Sequence, residues 1–324
     1  MRLPSRNELE GEGLLLGAAF LWGFSFVLQR LGMRTMGPLG FNAIRYILAA
    51  LAVAPVLAAT RARRSGRGAA TGGISQGANE SALPAREPLL RSLAIGAGSG
   101  AIMFGGASLQ QMGIVHTTAG KAGFISGLYV AFVPVFSFFL GKRPPARAWI
   151  GAAIAVAGLY FLSMTEGLSM GRGDALVLAG AALWGAQIMY LDRFAARADP
   201  FALAAAQFAV VACLSLPPAI AAEGLSASSI AATALPLALS GVFAVGLGFT
   251  LQILGQRKAQ ATRASLVMSM ESPFAAAAGA IFLGEALTGR TPRGFARSLA
   301  GGGLAQSGTR PAATSGRRGD GNTR

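Results

Sequence analysis

The sequence predicts an all-α polytopic membrane protein built from two inverted five-helix repeats, with the tenth helix missing or altered. Three observations predict it. Of 324 residues, 53% are hydrophobic and only 13% charged, at a mean hydropathy of +0.52; soluble domains carry about a quarter charged residues. Apolar runs of about 20 residues, the length that crosses a bilayer as a helix, recur along the chain. Signature residues also recur at fixed offsets. Trp22-Gly23 returns as Trp184-Gly185 and Pro38 as Pro200, each 162 residues on, with Gln207 at the place of Arg45; Leu109-Gln110 returns as Leu251-Gln252 and Lys121 as Arg263, 142 residues on.

The elements follow in order. Residues 1–12 are polar, and span 1 (13–33) is too long for a signal-peptide core and has no small-residue cleavage site after it, so it reads as a membrane helix. Span 2 (39–59) holds Asn42 and Arg45. Residues 61–91 are rich in Gly, Ser, Ala and Arg without helical periodicity and read as a disordered linker. Span 3 (92–115) is studded with glycine, which lets helix backbones approach closely in lipid. Span 4 (117–140) carries Lys121 near one end and Pro134 towards the other. An ionisable residue inside a span costs about 2.5–3.5 kcal/mol on insertion scales. A basic turn, KRPPAR, leads into span 5 (148–164). Spans 6 (174–191), 7 (200–222), 8 (235–255) and 9 (262–284) follow, with Glu271 near the middle of span 9 and Pro273 just after it. The repeats therefore run over 13–164 and 174–289. Each has an odd number of spans, so the second inserts upside down relative to the first, a common plan among secondary transporters.

The ending departs from the repeat. After residue 289 no apolar run reaches the length of a span, and the 290–324 tail is low-complexity Gly, Arg and Ser sequence. It reads as a reading-frame shift in a GC-rich gene, the alternative being a native disordered tail.

Net charge is +15, yet the basic residues lie in the loops, so membrane topology and not nucleic acid accounts for them. With the N-terminus inside, sixteen Lys and Arg fall on the inner side and three on the outer side up to span 9. The positive-inside rule then places the N-terminus in the cytoplasm and the protein, multi-pass, in the cell inner membrane. One cysteine, Cys213, and one histidine, His116, offer no internal disulfide and no metal cluster. No GxSxG, HExxH or P-loop appears. The expectation is therefore no enzyme, no cofactor and no metal, with energy drawn from a gradient.

The five-span repeats, the WG of spans 1 and 6, Arg45, LQQMGIVHTTAGKAGFISGLYVAFVP (109–134) and MESPFAAAAGAIFLGEALTG (270–289) together resemble the EamA-type transporters of the drug/metabolite transporter superfamily. The resemblance covers about residues 13–289. It implies a ten-helix inner-membrane carrier, an exporter of a small polar metabolite, amino acid or drug, coupled to protons and working by alternating access. The chain departs from that pattern at span 10, and at Lys142, where the second copy has Glu285. The partners implied are a small-molecule substrate and the lipid bilayer; a homodimer is left open. Two other readings stand beside it: a non-transporting remnant or partner-dependent protein truncated before span 10, and an intramembrane enzyme.

Eight residues are candidates for substrate binding or proton coupling. Lys121, about 6 Å below the interface, reads as a cation facing a central cavity or as one that snorkels to the headgroups. Tyr129, at i+8, shares its helix face. Glu271 reads as a cavity or proton-coupling group, or as a structural carboxyl. Pro273 has no N–H to give and leaves the Ser269 carbonyl free beside it. Arg45, about 10 Å deep, needs a partner or a substrate, and Glu271 is one such partner. Trp22 and Trp184 are repeat-related and read as site residues, as packing or as interfacial anchors. Gln110 and Gln187, like Gln111, Gln207 and Gln252, read as ligands or as bridges between helices, because an unpaired amide is costly in lipid. His116 is expected to be solvated and Glu285 interfacial.

Overall fold

In a computed structural model the chain is helical, with no strand among the described residues, which are 6–70, 89–144, 146–163 and 171–285. The helices are α1 (Arg6–Gly32), α2 (Pro38–Ala70), α3 (Leu89–Ile114), α4 (Ala119–Gly127), α5 (Tyr129–Phe139), α6 (Ala146–Ser163), α7 (Arg172–Phe194), α8 (Pro200–Ala222), α9 (Ala227–Ala232) and α10 (Ala234–Ala238). A π-helical segment (Leu239–Gly248) then leads into α11 (Phe249–Gln256), α12 (Ala261–Met268) and α13 (Glu271–Leu283).

Eight stretches among the described residues are long and apolar enough to cross a bilayer. They are α1, residues 38–63 of α2, α3, α4 with α5, α7, α8, the stretch 234–256, and α12 with α13. The fifth expected span is present as α6, 18 residues long, outside that set of eight. Large apolar side chains stand exposed around the bundle, Phe139, Ile281 and Leu235 among them. Water would penalise such a belt, and acyl chains would not.

Three expectations are corrected. Spans 4 and 9 are each two half-helices, broken at Leu128 and at Ser269–Met270. The linker is helical at both ends: α2 runs on to Ala70 and α3 starts at Leu89, where Arg, Ala and Leu are good helix formers. Residues 71–88 and the 290–324 tail lie outside the described residues. The Ser269 carbonyl is not free, because the Ser272 N–H takes it at 3.1 Å in place of the donor that Pro273 lacks.

Helices α3 and α8 lie against each other, as do α2 and α8, α3 and α7, and α1 and α13. The α3–α8 contact requires glycine. A Cβ on Gly96 would stand 2.5 Å from the Leu203 carbonyl oxygen, and one on Gly100 would stand 2.8 Å from that of Gln207. Gly23 does the same between α1 and α13, where a Cβ would meet Phe274 and the Glu271 carbonyl. The WG dipeptide thus works as a unit: its glycine brings two helices together, and its tryptophan fills the space beside them.

Two carboxylates tie helix starts to distant elements. Glu223 accepts from the N–H groups of Leu39 and Gly40 at the start of α2. Glu285 accepts from those of Ala119 and Gly120 at the start of α4, at 2.8 and 2.9 Å. The first turn of a helix has unpaired N–H groups and a positive dipole end, so a carboxylate is well placed there.

Candidate functional site

A cavity opens where the half-helices meet. It holds about 530 Å³ of empty space, the part continuous with solvent included. Seven of the eight candidate residues line it: Trp22, Arg45, Gln110, Tyr129, Trp184, Gln187 and Glu271. Lys121 does not. It lies at one end of the bundle with its Nζ 2.7 Å from Asp174 Oδ2. Asp174 also accepts from Thr117 Oγ1 and the Gly171 N–H. The face that Lys121 was expected to share with Tyr129 is broken at Leu128, which carries Tyr129 into the cavity without it.

Tyr129 and Glu271 are the first residues of α5 and α13, immediately after the two breaks. They stand 142 residues apart, the offset that relates Lys121 to Arg263. Both are buried. The Tyr129 hydroxyl lies beside the Glu271 carboxyl but outside hydrogen-bonding geometry, so it has no hydrogen-bond partner.

Arg45 is buried on the opposite element, α2. Its guanidinium carbon sits 5.5 Å from the Phe41 ring centre and 5.1 Å from that of Tyr46. Aromatic faces attract a cation but supply no anion. Its Nε has no hydrogen-bond partner, and neither does the Tyr46 hydroxyl. The expected pairing of Arg45 with Glu271 is not made, although both line the cavity. The backbone carries Arg45 close to the π-helical segment, where a Cβ on Gly241 would stand 2.7 Å from the Arg45 carbonyl oxygen.

The amides form two networks between helices. Gln110 gives Nε2 to Gln29 and accepts at Oε1 from Ser126 and from Trp184 Nε1, both at 2.8 Å. Gln252 donates to Gln187, Gln187 to Ser99, and Ser99 to Gln207. Gln111 is buried without a partner. Trp22 donates to the Ala244 carbonyl at 3.0 Å and stacks near Phe249, as does Trp184 from the other side. Neither tryptophan is an interfacial anchor; both are cavity walls. His116 is exposed, as expected.

Sequence reasoning missed the partners at the two ends. Arg263 lies 2.8 Å from Glu12 and 3.2 Å from Glu8, at the end where α1 begins. Lys121 and Asp174 lie at the end where α1 finishes, beside the Ile114 and Val115 carbonyls that Arg30 holds. The signal was available. Glu12 and Asp174 stand 162 residues apart, so the two ion pairs join residues related by the same two offsets.

The profile described as the EamA-like transporter family matches residues 9–164 and 171–304. An uncharacterized transporter of Archaeoglobus fulgidus is 28% identical over 278 residues, covering 85% of this chain and 79% of that protein. The threonine/homoserine exporter RhtA of Salmonella typhimurium is 31% identical over 159 residues, 47% of this chain and 52% of its own length. A solved structure, titled only as the crystal structure of a protein, superimposes with a TM-score of 0.69 at 19% identity, over 93% of this chain and 98% of that one, a likeness of fold.

Proposed function

The chain belongs to the EamA-like transporter family, and on that premise we propose that it exports a small polar solute by alternating access, in exchange for protons taken up at Glu271. It is a multi-pass membrane transporter, and its cargo is a small molecule. The observation that carries the finer reading is the cavity: buried, polar, and set at the breaks of two interrupted helices. Interrupted helices around a mid-membrane site are how inverted-repeat carriers hold cargo. A carboxyl there can take a proton from one side and release it to the other.

The family profile matches twice, which supports two copies. With an odd number of spans in each, the copies would stand inverted. Lys121–Asp174 and Arg263–Glu12 would then be one contact made once at each end, each joining the first copy to the second. Opening one while the other holds exposes the cavity to one side at a time. The printed name of RhtA supports an outward direction and a cargo the size of an amino acid. The excess of Lys and Arg on one side supports a cytoplasmic N-terminus in the inner membrane. Light scattering of the detergent-solubilised protein tests the homodimer.

The test is transport in proteoliposomes with an acidic lumen, offered labelled amino acids, organic acids and amines. At least one solute should accumulate, and dissipating the pH gradient with nigericin should abolish the accumulation. A panel in which nothing moves contradicts transport. Movement indifferent to the pH gradient contradicts proton exchange.

A further inference from the structure

Five charged residues are buried among the described ones: Arg45, Asp174, Asp199, Arg263 and Glu271. Asp174 holds Lys121, Arg263 holds Glu8 and Glu12, and Asp199 caps α8 by accepting from Phe201 and Ala202. Arg45 and Glu271 are the exceptions. Neither makes an ion pair among the described residues, and both line the same cavity.

We infer that this cavity binds a zwitterion, a small molecule whose carboxylate meets Arg45 and whose ammonium meets Glu271, as a free amino acid presents them. The inference rests on the transporter reading of the same cavity and names its substrate class. A buried charge must be neutralised by a proton, a partner or a ligand. Arginine does not give up its proton in a protein, so Arg45 needs an anion, and its planar fork suits a carboxylate. An anion alone would leave Glu271 unanswered. A cation alone would leave Arg45 unanswered. One molecule carrying both charges answers both residues.

The same geometry accounts for exchange. The Glu271 carboxylate accepts either a proton or an ammonium, and each excludes the other. The proton leaves the carboxyl to one side as the ammonium arrives, and another returns from the far side after the ammonium departs. The other charged or titratable groups sharing the cavity are Arg45, Tyr46 and Tyr129. The hydroxyls of Tyr46 and Tyr129 and Oε1 of Gln252 are buried without partners, and they are free to bond the remainder of the ligand.

The experiment compares, in proteoliposomes of the full chain, the common L-amino acids with their methyl esters and their N-acetyl derivatives. The ester keeps only the ammonium and the acetylated form only the carboxylate. At least one amino acid should move ten times faster than either of its derivatives. A derivative that moves as fast, or transport confined to simple anions or amines, overturns the zwitterion and leaves the carrier standing. A panel in which nothing moves removes the carrier reading, and this inference with it. Two variants add a crossed readout: Glu271→Gln should shift the preference at least tenfold towards the N-acetyl form, and Arg45→Gln at least tenfold towards the ester. Ratios unchanged in both monodisperse variants would also overturn it.

Discussion

The ends of the bundle and its middle carry the same kinds of charge and treat them in opposite ways. Arg263, at one end, is 7% exposed and touches two carboxylates. Arg45, in the middle, is 3% exposed and touches none. Asp174 holds a lysine at 2.7 Å; Glu271, equally buried, has only a phenol beside it. Burial alone therefore does not decide whether a charge is paired. The charges that join one half of the chain to the other are satisfied within the protein. The charges around the cavity are left for something that comes and goes.

Breaking this comparison means moving a charge in one region and finding the behaviour of the other. Arg45→Gln should have the largest effect on transport, a loss of at least about a hundredfold, with no fall in melting temperature. Removing an uncompensated buried charge does not weaken a fold, whereas removing one partner of a buried pair costs about 3–5 kcal/mol. Transport assays and thermal unfolding in detergent check the two halves of this prediction. A drop in stability would show that Arg45 is structural.

Arg263→Gln should do the reverse. It leaves Glu8 and Glu12 without their cation. Because those two carboxylates are partly exposed, the cost is discounted to about 1–3 kcal/mol, read as a lowered melting temperature. Glu285→Ala removes the carboxylate from the start of α4 and should cost about 1 kcal/mol, the usual worth of a helix cap. Lys121→Gln should be mildest in stability, at most about 1 kcal/mol, because its side chain is about one-third exposed and solvent screens the pair. A double-mutant cycle on Lys121 and Asp174 would sharpen that value.

The apolar spans were legible in the sequence because bilayer thickness sets their length, and the cavity was largely legible because buried polar residues are conspicuous in apolar sequence. The two offsets already related Lys121 to Arg263, and read across the chain they also related Glu12 to Asp174 and Tyr129 to Glu271. Other features depend on packing that spacing does not encode. The break at Leu128 has no proline at that position. The Ser269 carbonyl found a neighbouring donor, which counting the loss at Pro273 did not anticipate. Arg45 and Glu271 are close enough to share a cavity and yet remain unpaired, a distinction of side-chain placement. The helical ends of the linker were hidden by its glycine- and serine-rich middle.

The most direct test of the division between paired ends and unpaired middle is the initial rate of transport driven by a pH gradient in Glu271→Gln, at matched protein per vesicle. The account predicts a rate no higher than that of protein-free vesicles, from a variant that melts at or above the wild-type temperature. A rate within twofold of wild type would contradict it and return Glu271 to a structural role.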